Sequence, residues 1–536
     1  MKTNKIASRS LRLTACCFAF SASGLAAAHE ADNLGNVKFP VSCSAEAQEG
    51  FNRAAAMLHN FWFPQAGNAF TEVAKVDPTC AMAYWGVAIS ARANPLVGFP
   101  PPAAMKRGWE FVEKAKAAGA KTPRERDYIA ALELYYKDPE SPDHKPRVLA
   151  FEKAMEQLSQ RYPEDLDAAL LYALAMNEAI LALPADKTYT RHRKAAQIAQ
   201  NVLAKQANHP GALHYLIHSY DFPALAEKGL DAANVYASAA PGAPHALHMP
   251  SHIYSMLGMW SESIKANLNA LDAAKGYVHA IDFMVYAHLQ MGQDGEAKRL
   301  LGVSAELQKS AGGLDQRSPT GALLPVHTAY AAIPARYIIE RGAWTEATAL
   351  PLQPTSPPAD AITHFTRAMG FARLRNTASA RTEIDKIQAL RDELAKGTDP
   401  YWVEQVDIQR EAAQAWVAYV EGNKPQAIKL MRSAADREDG SEKHVAMENR
   451  LWPMRELLGE LLLELKEPAQ ALKELDKSLG DSRNRLRGFY TAAKAAEMAN
   501  DRGRAADYYG KLIALTKNAD SARQEVKQAK AFLAAR

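Results

Sequence analysis

The chain has 536 residues, 64 Lys+Arg against 60 Asp+Glu, 48% hydrophobic residues and four cysteines. Four of the basic residues, Lys2, Lys5, Arg9 and Arg12, lie in an N-terminal leader, so the remainder is balanced at 60 of each sign. That balance removes the electrostatic case for nucleic acid or an acidic membrane surface, and no later run reaches the roughly 18 apolar residues of a membrane span.

The leader places its basic residues before an apolar stretch from Leu13 to Leu25, and Ala26-Ala27-Ala28 supplies a small-residue cleavage site before His29. Residues 1–28 therefore read as a secretory signal, and the mature chain is expected to be exported, periplasmic or secreted. Leu13-Thr14-Ala15-Cys16 has the outline of a lipoprotein box, but only three residues separate Arg12 from Cys16, leaving no apolar core before the cut. Cys16 and Cys17 leave with the signal. Cys43 and Cys80 remain as an even pair in an oxidising compartment, which predicts one disulfide tying the N-terminal segment to the helices that follow.

Past the signal the chain is alanine-rich with no sustained period-two stretch, which predicts an all-α solenoid rather than several unrelated domains. Ala66, Phe70 and Pro78, then Tyr84 and Ala88, fall at repeat spacings. Residues 121–205 show helical periodicity over Glu125–Tyr136 and Val148–Leu158 without a clear repeat. Breaks are expected at Phe99–Pro102, Ala311–Pro319 and Pro351–Pro358. The last divides a solenoid over 29–350 from C-terminal repeats over 363–536, with 351–362 as a linker or loop. In the C-terminal part Ala471 and Leu475 recur 34 residues later as Ala505 and Tyr509.

The centre of the chain holds its most informative pattern. His214 and His218 recur 34 residues on as His248 and His252, and the next step lands on Asp282 and Tyr286; His245 likewise maps onto His279, and Pro210 onto Pro244. Seven of the fifteen histidines fall between His209 and His279. A pair at i,i+4 shares one helix face, with Cβ atoms about 6 Å apart. Around it, Tyr254, Gly258, Trp260 and Ala270 hold an aromatic, a turn glycine, an aromatic and a small residue, partly repeated by Gly292, Asp294 and Ala297 and again by Gly342, Trp344 and Ala347.

This signature resembles the tetratricopeptide repeat (TPR) family. The resemblance implies a right-handed superhelix of helical hairpins in which the first helix of each repeat turns its second, fifth and ninth residues toward a concave groove. Those columns hold His214 and His218, then His245, His248 and His252, then His279, Asp282 and Tyr286. The blocks His209–Tyr220 and Ala243–Tyr254, with Asn36–Cys43 and Cys80–Gly86, resemble a group of exported bacterial TPR proteins; this supports fold and export and implies no reaction.

Neutral imidazoles with one carboxylate suit zinc, copper(II), nickel or non-haem iron, and no cysteine is near enough in sequence to suggest a thiolate site. The expected ligands are His214, His218, His245, His248, His252, His279 and Asp282, with Asp221 and Tyr286 as supporting or groove residues. Pro250 sits between His248 and His252 and threatens their pairing by kinking the helix. Three readings follow: a metal-binding protein, a scaffold holding a partner peptide in the groove, and a metal-dependent hydrolase using Asp221 or Asp282 as base. No HExxH, GxSxG or P-loop selects a reaction. His59, His144, His192, His327, His364 and His444 read as solvated or satisfied structural residues, and His288 as packing.

Overall fold

The computed structural model describes residues 32–310, 316–397 and 399–535. The leader 1–28 lies outside them, as do residues 311–315 of the expected Gly-Gly break. Helices from Ala45–His59 to Gln524–Ala534 follow one another without a strand among the described residues, each packed chiefly on its neighbours in sequence. None of them is long and apolar enough to cross a membrane.

The 34-residue period of the sequence is the period of the helices. Helices begin at Pro210, Pro244 and Val278, and their following partners at Trp260 and Asp294 keep the same step. Pro210 and Pro244 stand at the first helical position, where the absent N–H costs no bond. The turns close on Gly258, Gly292 and Gly342, all at positive φ between 63° and 70°, a conformation open to glycine without a Cβ clash. The fold is thus an all-α, TPR-like helical solenoid.

Residues 121–205, which carry no clear repeat in sequence, form four helices: Pro123–Tyr136, Lys145–Arg161, Leu166–Ile180 and Thr190–Lys205. A capping box at Thr122 and Glu125 starts the first. Cys43 and Cys80 are joined as a disulfide, Cα atoms 5.0 Å apart. Within the expected linker or loop at 351–362, helix Pro357–Arg373 begins after a short loop and packs on Leu324–Ile339 and Trp344–Thr348. The stack continues across this point, because proline at the first turn begins a helix as readily as it breaks one.

The stack also closes on itself. Trp260 Nε1 donates to Asn484 O at 2.8 Å and Arg483 meets Glu227 at 2.7 Å. Between helices Lys424–Gly440 and Met454–Glu464 the irregular segment 441–453 enters the inner face, where Ala446, Glu448 and Trp452 are at most 1% exposed. Thr328 donates to Ala446 O, and Arg336 to the carbonyls of Asn449 and Arg450.

Candidate metal centre

Helix Pro210–Tyr220 carries His214 and His218. His245 and His248 lie on Pro244–His248, His252 on Pro250–Met256, and His279 on Val278–Gln290. Pro250 ends one helix and begins the next, yet Met249 between them keeps helical angles, φ −54° and ψ −36°. The pair still meets: His248 Nε2 and His252 Nε2 are 3.1 Å apart.

The six histidines form two triads, His214/His218/His245 and His248/His252/His279, in each of which one ligand atom per residue lies within 4.8 Å of the others. A phenylalanine backs each group. Phe61 packs on all three rings of the first and Phe283 on all three of the second. The triads adjoin, with His245–His248 ring centroids at 5.9 Å and His218–His252 at 6.2 Å.

None of these side chains lines an open groove. All six are buried, the most accessible at 6%, where the repeat resemblance implied side chains turned toward a concave groove. Segment 441–453 contributes at this point, with Lys443 buried against Asp221. A narrow cleft of about 10 Å³, roughly one water-sized sphere, remains; His218, His245, His252 and His279 line it beside Ser318 and Val445. Burial disfavours the charged ring, pushing His214 down to about 3 and His248 to about 4, and His218, His245, His252 and His279 well below the ordinary value. The imidazoles are therefore neutral, the form that ligates metal.

Hydrogen bonds fix which nitrogen of the second triad carries its proton. His252 Nδ1 donates to Asp221 Oδ2 at 2.8 Å, and Lys443 Nζ donates to the same oxygen at 2.8 Å. Asn267 Nδ2 donates to Ser263 O, which turns its Oδ1 toward His248 Nδ1 at 2.6 Å. Both Nδ1 atoms must then bear hydrogen, and both Nε2 atoms present lone pairs to each other. Two lone pairs at 3.1 Å repel unless a cation or a proton lies between them. Burial opposes the proton.

The remaining expected residues are placed differently. Asp282 sits on the same helix as His279 but is bonded by the buried Arg336, Nε to Oδ1 3.0 Å, and belongs to neither triad. Its partner lies 54 residues away in sequence, so the repeat phase could not reveal it. Tyr286 is bonded by Arg485 and lies under the Arg336 guanidinium. Asp221 supports His252 rather than facing the cleft. Asp282 is held by Arg336 and Asp221 by His252 and Lys443, so neither carboxylate is placed toward the cleft and the hydrolase reading gains no support.

A third group, His59, His209 and Asp167, was not legible as a unit. His59 Nε2 bonds Asp167 at 2.8 Å and its Nδ1 meets Tyr215 Oη at 2.9 Å, while His209 stands 3.7 Å from the same carboxylate. Burial works against the Asp167 carboxylate, but the nearby His209 and the hydrogen bond from His59 hold it well below the usual range. His59 is thus a satisfied structural residue, as its isolated position in the sequence suggests. So are His364, bonded to Glu383 at 2.6 Å, and His288, bonded to Gln293 at 2.7 Å. Sequence reasoning also missed Lys443, Asn267 and the two phenylalanines, which no metal-ligand pattern marks.

No family model matches the chain, and no curated protein matches it. Among solved structures it is similar to a tetratricopeptide repeat protein from Parabacteroides merdae, 10% identical over 76% of this chain and 98% of that one, TM-score 0.24. It is also similar to the APC/C hetero-tetramer Cut9-Hcn1, 14% identical over 91% and 89%, TM-score 0.36. A third likeness is to Naa15/Naa10 bound to HypK, 11% identical over 91% and 73%, TM-score 0.24. At these scores the likenesses add nothing to the helix packing and period described above.

Proposed function

We propose that this is an exported solenoid protein that binds a divalent transition metal through His248, His252 and His279. The observation that carries the reading is the pair of Nε2 lone pairs held face to face at 3.1 Å. Two imidazoles on one ion, with bonds of about 2.0–2.1 Å and angles of about 90–110°, have nitrogens about 2.9–3.4 Å apart. The locked Nδ1 protons supply the outer hydrogen bonds that metal-ligating histidines ordinarily make, one of them to a carboxylate. Export is supported by the leader segment and by the Cys43–Cys80 disulfide.

Zinc, copper(II), nickel and iron(II) all accept this donor set. The competing scaffold reading needs a partner peptide in the groove; the burial of all six rings, with Val445 beside the cleft, weighs against it. Calorimetric titration of metal-stripped, untagged protein with zinc and with copper(II) decides between them. Wild type should bind at least one ion more tightly than about 10 μM, and His248→Ala with His252→Ala should weaken it at least about 100-fold. If wild type binds neither ion that tightly, or the double variant binds as well, the metal reading fails and the scaffold reading replaces it.

A further inference from the structure

The two triads are one motif copied by the repeat. Adding one 34-residue step to His214, His218 and His245 gives His248, His252 and His279, so each ligand of the second group has an equivalent in the first. The step before and the step after do not carry it: Ile180 and Pro184 precede, Asp282 and Tyr286 follow.

The first copy has the same electronic deficiency as the second. His214 Nδ1 donates to the backbone carbonyl of His59 at 2.7 Å, which leaves a lone pair on Nε2. That Nε2, His245 Nε2 and both nitrogens of His218 are buried with no hydrogen-bond partner. Burying such groups unpaired costs about 1–3 kcal/mol each, and one ring nitrogen from each of the three residues lies within 4.8 Å of the others. One nitrogen from each of three neutral rings, backed by Phe61, converges where no protein donor answers it, an arrangement a cation would complete.

Resting on the reading above, we propose a second metal site at His214, His218 and His245, making the centre a pair of trihistidine ions one repeat apart. Each triad leaves at least one coordination position without a protein ligand. Two rings of each, His218 and His245 from one and His252 and His279 from the other, border the same cleft. An exogenous ligand reaching both ions must therefore be small, of the order of water, hydroxide or a diatomic molecule. The sites are not equal. His252 is backed by the Asp221 carboxylate, which raises its basicity; in the first triad His214 is backed by a neutral carbonyl and His218 by nothing. The second triad fills first.

Zinc titration of the stripped full-length chain, with bound metal measured by elemental analysis, tests this. The expected result is two ions per chain, the second bound about 10–100-fold more weakly than the first. His214→Ala with His218→Ala should abolish the weaker site and leave the tighter one. Since His214 also bonds the backbone, His218→Phe is the second variant: it removes two nitrogens that bond nothing, so the metal-free fold should melt no lower than wild type while the weaker ion is lost. One ion per chain in wild type, or two retained in His218→Phe, overturns the paired centre and leaves the single site standing. No bound ion at all refutes the single site instead.

Discussion

Helix Val278–Gln290 separates two clusters of buried polar side chains that are completed in different ways. Toward Arg336 and Arg485, charges answer one another within the chain: Asp282 accepts from Arg336, Arg485 bonds Glu340 and Glu456, and Arg373 and Arg487 share Glu460. Toward His279, six neutral rings leave nitrogens with no partner in the protein. A buried polar group is tolerated when its partner comes with it. The arginine cluster pairs most of its charges, although the Glu448 carboxylate beside Arg336 lacks a hydrogen-bond partner and burial pushes it up to about 8; the histidine cluster leaves its nitrogens unpartnered, the deficit that the proposed metal would fill. One repeat step, from His248 and His252 to Asp282 and Tyr286, converts the one into the other.

The contrast would break first at Asp282. Asp282→Asn removes the carboxylate from a buried guanidinium, and denaturant unfolding should show a stability loss of about 3–5 kcal/mol. Zinc affinity should stay within about threefold, since the residue shares no partner with the triads. A tenfold loss of zinc affinity would return Asp282 to the ligand set and merge the two clusters.

A smaller effect sharpens the structural side. Burial opposes the Glu460 carboxylate, but Arg487 and Arg373 together hold it down at about 2. A carboxylate depressed in the folded state stabilises above its unfolded value near 4.5 and loses that contribution as pH falls toward 2. The loss should be about 3 kcal/mol across this window. Stability measured against pH should fall less steeply over that range in Glu460→Gln; an unchanged slope would mean that Glu460 is not held by its arginines.

Smallest is the effect expected at Asp221, which belongs to the histidine side only through His252. Asp221→Asn should weaken zinc binding about 10–100-fold without abolishing it, as loss of an outer hydrogen bond does. Unchanged affinity in a folded variant would detach the carboxylate from the site.

Much of the site could be read before any coordinates. The pairs His214/His218 and His248/His252 share helix faces because i,i+4 residues always do, and His245 and His279 join them because the repeat places equivalent positions side by side. Asp282 shows the limit of that logic. It keeps the phase, but Arg336 claims its charge from another helix, and phase says nothing about a competitor so far along the chain. His209 opens the repeated block but Asp167 lies in the stretch without a repeat signature, so no shared phase joins them.

The sequence by itself determined the period, the helical class and the residue types that converge, since all three follow from spacing along a regular backbone. Tertiary structure alone decided that the histidines are buried, which of their nitrogens carry hydrogen, and that Lys443 of segment 441–453 is buried against Asp221. Those properties depend on groups from other parts of the chain, Asn267 and Asp221 at 19 and 31 residues from their histidines and Lys443 at 222 from Asp221, which no i,i+4 or repeat spacing marks. Lone pairs face each other at the centre only because Asn267 and Asp221 hold the two rings from behind.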